Sequence, residues 1–290
     1  MATTKIRQKI GWIAAILAVM IIIFLLRPSA APKPKTYEGM TIEEWVTLLN
    51  MNVDFQKERE QAGRALELIG TNALPDLERI LSRRPNRFRE TVERYAVRLH
   101  LMKRPAPPAV HPLEMQSRAC EAAYRLGEFA NIDISRLVPH LRYHFTNGTY
   151  ADSNSARALA HAGPTGIATL TNQLFTGSRN VRDQSGWALA SVSRKPEVYT
   201  MLIAAANFEK DPAMQANLVL YLDRSQAPAE LVVPLGLKSF RSGDGYKQWA
   251  ALSLLRNYMN LPEVRAIFEE GKTNRDARVR SAAERALANP

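Results

Sequence analysis

Cysteine is almost missing from this chain of 290 residues, where Cys120 stands alone. One thiol excludes an internal disulfide framework and any metal centre built on several cysteines. Histidine is sparse, and His100, His111, His140, His144 and His161 are followed by Leu, Pro, Leu, Phe and Ala, so no His-Glu pair occurs. There is no His-Glu-x-x-His zinc signature, no glycine-rich phosphate loop and no nucleophile elbow. These absences remove the commonest metalloprotease, phosphoryl-transfer and serine-hydrolase chemistries. No period-two run is long enough to build a sheet, so the expected class is all-α.

Acidic residues are absent from the first 37 positions. Six of the 39 basic residues (Lys5, Arg7, Lys9, Arg27, Lys33 and Lys35) precede Glu38, leaving 33 basic against 28 acidic in the remainder. More than half of the formal charge of +11 thus flanks one uncharged apolar run, Ile10 to Leu26. As a helix this run spans about 26 Å, close to a hydrocarbon core of ~30 Å. Cleavage as a secretory signal is disfavoured, because a cut after Ala31 leaves Pro32 first and a cut after Ala30 puts Pro28 at the third position before it. The expected organisation is a basic segment over 1–9, a transmembrane helix over 10–26, a Pro-rich spacer over 27–36 and a folded domain over 37–290. The orientation favoured places the N-terminus in the cytoplasm and the folded domain outside the inner (plasma) membrane.

What the chain does have is one pattern, many times. Val181-Arg182-Asp-Gln-Ser185-Gly-Trp-Ala-Leu189 reads apolar, polar, two free positions, small, three free positions, apolar. The small position recurs at Ala62, Ala119, Ser155, Ser185, Leu218, Ala250 and Ala283, with later steps of roughly 30 to 36 residues, a helical-repeat period. Glu58 to Ile69 and Leu74 to Leu81 are amphipathic segments joined at Gly70, the unit of a helical hairpin. Gly70, Gly127 and Gly163 hold the same place in their units, where a helix end is expected to need positive φ. Thr41-Ile-Glu-Glu44 is a capping box ahead of an apolar face of Ile42, Trp45, Leu48 and Leu49, and Asp211-Pro212 and Asp276 are helix starts. The long first step holds a further expected helix, Phe88 to Met102, and a Pro-rich connection, Arg104 to Pro112.

Asp276-Ala-Arg-Val279-Arg280-Ser-Ala-Ala283-Glu-Arg-Ala-Leu287 resembles the D-x-x-V-R-x-x-A-x-x-x-L signature of the HEAT-repeat family, including the HEAT-like repeats of phycobilin lyases. Val181-Arg182 with Leu189 resembles it without the leading Asp. Met214-Gln215, Tyr246-Lys247, Ala151-Asp152 and Met115-Gln116 drift from the Val-Arg pair. The stretch Tyr37 to Trp45 is also similar to a lead-in of bacterial HEAT-type proteins. The resemblance covers roughly Glu58 to Pro290 and implies a right-handed α-solenoid of stacked hairpins. Its families are largely scaffolds and adaptors, so it implies a binding surface, no enzyme activity and no cofactor. The iron-binding His-Glu pairs of the deoxyhypusine hydroxylases have no counterpart in this chain.

At ~100° per residue, Val181, Ser185 and Leu189 form a buried stripe, and the residue two after the small position points away from it. That place holds Arg64, Glu121, Arg157, Trp187, Leu220, Leu252 and Arg285. With the second helices on the concave face, as the resemblance implies, Trp187, Leu220 and Leu252 make an apolar centre flanked by Arg157 and Arg285. Ala156, Ala160, Gly186 and Ala190 leave room beside it. An aromatic anchor among arginines suits a protein or peptide partner; the competing arrangement packs these side chains on one another across repeats. Arg182, Gln215, Lys247 and Arg280 are expected to bond to neighbouring turns.

Three other chemistries stand beside that reading. Polyanion binding (nucleic acid or anionic lipid) would use the basic run Arg79 to Arg104, centred on Arg83, Arg84, Arg87 and Arg89. A solvated face is the plainer reading of that run, and with only Phe88 and Tyr95 available for stacking, nucleic acid is disfavoured. A HEAT-like lyase-type enzyme would need a paired acid and base, and Glu121 and Asp223 lie three repeats apart. His140 and His144 have the spacing of a two-histidine metal site but no third ligand nearby, so a solvated or locally hydrogen-bonded pair is expected and no metal. Cys120, among Ala119, Ala122 and Ala123, is expected as a small inert core residue.

Overall fold

A computed structural model describes residues 36–49, 56–83, 111–147, 153–192, 196–223 and 227–288. The expected transmembrane helix, the segments on either side of it up to residue 35, the helix Phe88 to Met102 and most of the Arg104 to Pro112 connection lie outside the described residues. Among the described residues no helix is long and apolar enough to cross a membrane.

The chain divides into two units, Met1–Thr41 and Ile42–Pro290. The described part of the first is a hairpin in which β1 (Thr36–Tyr37) pairs antiparallel with β2 (Met40–Thr41), Thr36 opposite Thr41 and Tyr37 opposite Met40. Its two turn residues both have positive φ, Glu38 at 50° and Gly39 at 79°. A two-residue loop needs this to follow the strand twist, and Gly39 meets the requirement without a Cβ clash. Two residues per strand are too few to register as alternation, which is why the sequence reading contains no strand here.

The second unit is all-α among its described residues. Its helices are α1 (Ile42–Leu48), α2 (Gln56–Ile69), α3 (Leu74–Ser82), α4 (Pro112–Glu128), α5 (Val138–Asn147), α6 (Ser153–Ala160), α7 (Gly163–Thr176), α8 (Arg179–Ser191), α9 (Pro196–Phe208), α10 (Pro212–Asp223), α11 (Ala229–Ser242), α12 (Gly245–Leu255), α13 (Pro262–Gly271) and α14 (Ala277–Ala288). Each odd helix packs on the even helix that follows it. The even helices from α2 to α14 also pack one on the next, as do the odd helices from α3 to α13.

The repeated position of the sequence pattern is buried within this packing. All seven positions of that series are buried and at most 1% exposed, one on each even helix from α2 to α14. Leu66, Ala123, Leu159, Leu189, Leu222 and Leu254, four residues further on, are buried to the same degree. At six of the seven a small side chain lets the even helix approach its neighbours closely, Leu218 being the exception, while each buried leucine contributes about 1.5–3 kcal/mol of transfer free energy.

Aspartates start three of the even helices. Asp211 Oδ1 accepts from Ala213 N and Met214 N at 3.0 and 3.2 Å, Asp244 Oδ1 from Lys247 N at 3.0 Å, and Asp276 Oδ1 from Arg278 N at 2.8 Å. The glycines divide differently from expectation. Gly70 and Gly163 take positive φ, 61° and 71°, but Gly127 does not. Gly127 lies inside α4, where a Cβ would stand 2.8 Å from His161 Cβ and 3.2 Å from Ile134 Cδ1, so it is required for close approach. The positive φ after α4 falls on Asn131, at 51°.

Candidate functional site

In five of the repeats the polar residue after the first apolar position works inside the fold. Gln116 Nε2 donates to the carbonyl of Arg83, just past α3. Arg182 Nη1 donates to Gly177 O at 3.1 Å, just past α7, and Gln215 Nε2 to Ala206 O at 2.7 Å, in the last turn of α9. Arg280 Nη1 reaches Asn274 O and Arg275 O at 2.8 and 2.9 Å, beyond α13, and Lys247 Nζ donates to Ser242 Oγ at 3.3 Å, at the end of α11. The last carbonyls of a helix lack intrahelical donors, and the following even helix supplies them or braces that end. Arg182 also holds Glu209 of the next hairpin, Nε to Oε2 at 3.0 Å and Nη2 to Oε1 at 3.2 Å. Burial pushes the Glu209 carboxyl up, but the N–H groups of Asp211 and Lys210 and the Arg182 guanidinium outweigh it and hold the group below the usual carboxylate range.

On the solvent side of the even helices the arginines and aromatics meet. The half-buried Arg157 of α6 places its guanidinium carbon 3.6 Å from the ring centre of Tyr124 on α4 and 5.9 Å from that of Trp187 on α8. Burial lowers its pKa, against the pull of the Glu128 and Glu121 carboxylates. One turn before Trp187, Asp183 Oδ1 accepts from Asn217 Nδ2 and Tyr221 OH on α10, both at 2.8 Å. Asn217 Oδ1 in turn accepts from Tyr246 OH on α12 at 2.7 Å. Tyr246 stacks on Trp249, ring centres 5.7 Å apart, and the Arg278 guanidinium of α14 lies 5.8 Å from the Tyr246 ring. A continuous ribbon of side chains therefore crosses α4, α6, α8, α10, α12 and α14.

Two adjoining depressions open at its far end, on either side of Trp249 and Arg285. The larger, about 700 Å³, is lined by Asp223, Leu252, Arg256 and Phe268 besides those two. The smaller, about 490 Å³, adds Tyr246, Arg278 and Ser281.

No known family model matches the chain, and no curated protein matches it.

The residues expected on the binding face are distributed unequally. Arg157 and Trp187 come together; Leu220 is partly exposed on α10, and Arg285 is exposed on α14 beside Trp249. Arg64 is exposed on α2. Leu252 does not fit the outward expectation: it is 1% exposed, in an apolar cluster with Val264, Phe268, Val279 and Ala283. Helical periodicity in sequence marks one buried stripe, but α10, α11, α13 and α14 all pack against α12. Its accessible stripe is Tyr246, Trp249 and Ser253, one before and three after the small Ala250. Glu121 is likewise buried, 2% exposed, with Oε1 accepting from Arg59 Nη2 at 2.6 Å and lying 3.6 Å from Arg125 Nε. Glu121 on α4 and Asp223 on α10 are separated by α6 and α8 in the order of packing.

The basic run is partly neutralised. Arg83 grips Glu43 with two bonds of 2.7 and 2.9 Å, which hold the Glu43 carboxyl below its usual range, and Arg79 bonds Asp76 at 2.8 Å. Arg84, Arg87 and Arg89 lie outside the described residues. His144 Nε2 is 2.8 Å from Leu81 O, and His140 Nε2 is 3.7 Å from Glu78 Oε1, a carboxylate that Arg136 also engages. Among the described residues no three His, Cys, Asp or Glu side chains cluster as metal ligands, and Cys120 is buried. Trp249, Tyr246 and Arg256 are the site residues the sequence reading misses. Their signal is spacing: at 246, 249, 253 and 256 they and Ser253 make a polar and aromatic line through a segment otherwise rich in alanine and leucine.

Proposed function

We propose that this protein is a membrane-anchored scaffold or adaptor, a right-handed α-solenoid of HEAT-like hairpins that holds a protein or peptide partner along its concave surface. The anchor is Ile10 to Leu26, with the N-terminus in the cytoplasm and the repeat domain outside. The reading assigns the chain no catalysis and no cofactor. One observation carries it: arginines and aromatics gather into a ribbon across successive even helices, from Arg157 and Trp187 to Trp249 and Arg285, with open depressions at its end. Rigid amphipathic rings beside guanidinium groups favour binding because they offer large contact area at low entropy cost. The pairwise packing of the even helices supports a regularly spaced row of such contacts, so affinity would come from several modest contacts along an extended partner.

The polyanion alternative is weaker because Arg79 and Arg83 already satisfy Asp76 and Glu43. The test is capture of membrane-extract proteins on the immobilised full chain, with Trp187→Glu as the variant. Trp187 is partly exposed beside Arg157, so the variant should keep its melting temperature and lose the captured partner. Capture unchanged by the substitution refutes the role of this face.

A further inference from the structure

The geometry points to the cleft beside Trp249 as the seat of an acidic peptide segment that carries an apolar side chain next to its carboxylate. This rests on the peptide-binding reading above and adds which part of the face makes the contact and which chemistry it selects. Leu252, Phe268 and Ala286, at 1%, 1% and 5% exposure, close the bottom of the larger depression, its accessible apolar surface is that of Trp249 and Ala282, and its volume of about 700 Å³ suits one or two side chains. The wall is Trp249, fixed in advance by stacking on Tyr246, which is tied through Asn217 to Asp183. A ring ordered before the partner arrives costs little entropy on binding.

Charge decides the occupant. The rim carries the exposed Arg256 and Arg285, and among the described residues neither has a carboxylate partner. Arg285 Nε donates to Ser281 O at 3.1 Å, which leaves its terminal nitrogens for a ligand. Arg278, on the smaller depression, is different, because Asp276 Oδ2 holds it at 2.7 Å. Among the described residues the one acidic lining residue is Asp223, which accepts from Asn257 Nδ2 at 3.3 Å. With Arg256 and Arg285 against the one carboxylate of Asp223 the rim is net positive, so a basic peptide would meet like charge, whereas a carboxylate can take parallel N–H bonds from either guanidinium. A nucleic-acid strand fits less well. One face of Trp249 is already taken by Tyr246, which leaves a single face for stacking, and Leu252, Phe268 and Ala286 beneath it offer a base edge no donor or acceptor.

The test is panning of a phage-displayed dodecapeptide library on the immobilised full chain in detergent, followed by fluorescence anisotropy with the selected peptides and with a labelled thymidine oligonucleotide. Selected peptides should place Asp or Glu beside Leu, Ile, Phe or Trp. Arg256→Glu/Arg285→Glu should weaken them by about tenfold or more and, on repanning, select lysine or arginine instead. The milder Arg256→Gln/Arg285→Gln should weaken them without reversing the selection, and both pairs should keep the parent melting temperature because the two side chains are exposed. Peptides without acidic bias, or acidic peptides whose binding ignores both arginines, overturn the inference and leave the broader peptide-binding reading standing. Oligonucleotide binding that disappears in the Glu pair assigns the cleft to a polyanion and overturns it as well. A library that yields no binder overturns both readings.

Discussion

Arg182→Met keeps the aliphatic length of the side chain and removes only the guanidinium that joins two consecutive hairpins. The substitution loses the bond to Gly177 O and both bonds to Glu209. Hydrogen bonds to charged groups contribute about 1.5–3 kcal/mol each when well buried. Two features bring the sum down: the Arg182 side chain is 23% exposed, and Glu209, at 9%, keeps the Lys210 and Asp211 N–H donors at 2.9 Å. The expected loss is about 2 kcal/mol, or ~4–8 °C in melting temperature for a domain of this size. Circular dichroism melts of the full chain in detergent, parent against variant, read it directly. The effect also has a pH signature. A carboxyl depressed in the folded state contributes stability that is present above its unfolded pKa and lost as pH falls through its folded one. Removing Arg182 removes part of that depression, so the gap between parent and variant should be widest near neutrality and narrow below about pH 4. Equal melting temperatures at pH 7 would refute the staple. A gap that stays constant down to pH 3.5 would assign the loss to packing or to the Gly177 bond, and would refute the part given to Glu209.

Two more substitutions test the frame that carries the site. Asp211→Ala removes the acceptor for Ala213 N and Met214 N at the start of α10 and should cost about 1 kcal/mol in urea denaturation, with most of it recovered in Asp211→Asn; no loss in the Ala variant refutes the cap. Ser185 Oγ is buried without a hydrogen-bond partner among the described residues, so Ser185→Ala should raise stability by about 1 kcal/mol, and a drop in the urea midpoint refutes that reading.

The all-α class and the buried small positions were legible because close packing leaves a compositional trace. Where even helices pack on one another, the residue at the contact is small on six of the seven described even helices, Leu218 on α10 being the exception. The polar residue after the first apolar position was legible for a similar reason, since carbonyls at a helix end need donors and Arg182, Gln215 and Arg280 all supply them. Leu252 was misplaced because helical periodicity reports one buried stripe, while the burial of α12 comes from neighbours distant in sequence, above all Phe268 and Ala283. Gly127 was misplaced for the same reason: its partner is His161 on the next hairpin, and no local pattern announces that contact. Trp249 could have been found from its line with Tyr246 and Ser253, but that line is not in phase with Trp187, so a single register could not return both.

On the binding reading proposed above, that phase difference limits what the face can hold. Outward residues sit two after the small position at Arg157 and Trp187, but one before and three after it at Trp249 and Ser253. At ~100° per residue, the stripe turns by roughly 60° or more between α8 and α12. Along the same path Asp183 Oδ1, Asn217 and Tyr246 OH bond one another, so the middle of the ribbon fixes rings and carries one carboxylate but no cation. Cationic capacity stays at its ends, with Arg157 over Tyr124 and with Arg256 and Arg285 beside Trp249. A partner that engages both ends must therefore be extended and must change the direction of its side chains between them, a demand that a short helix with one recognition face does not meet and an extended peptide does.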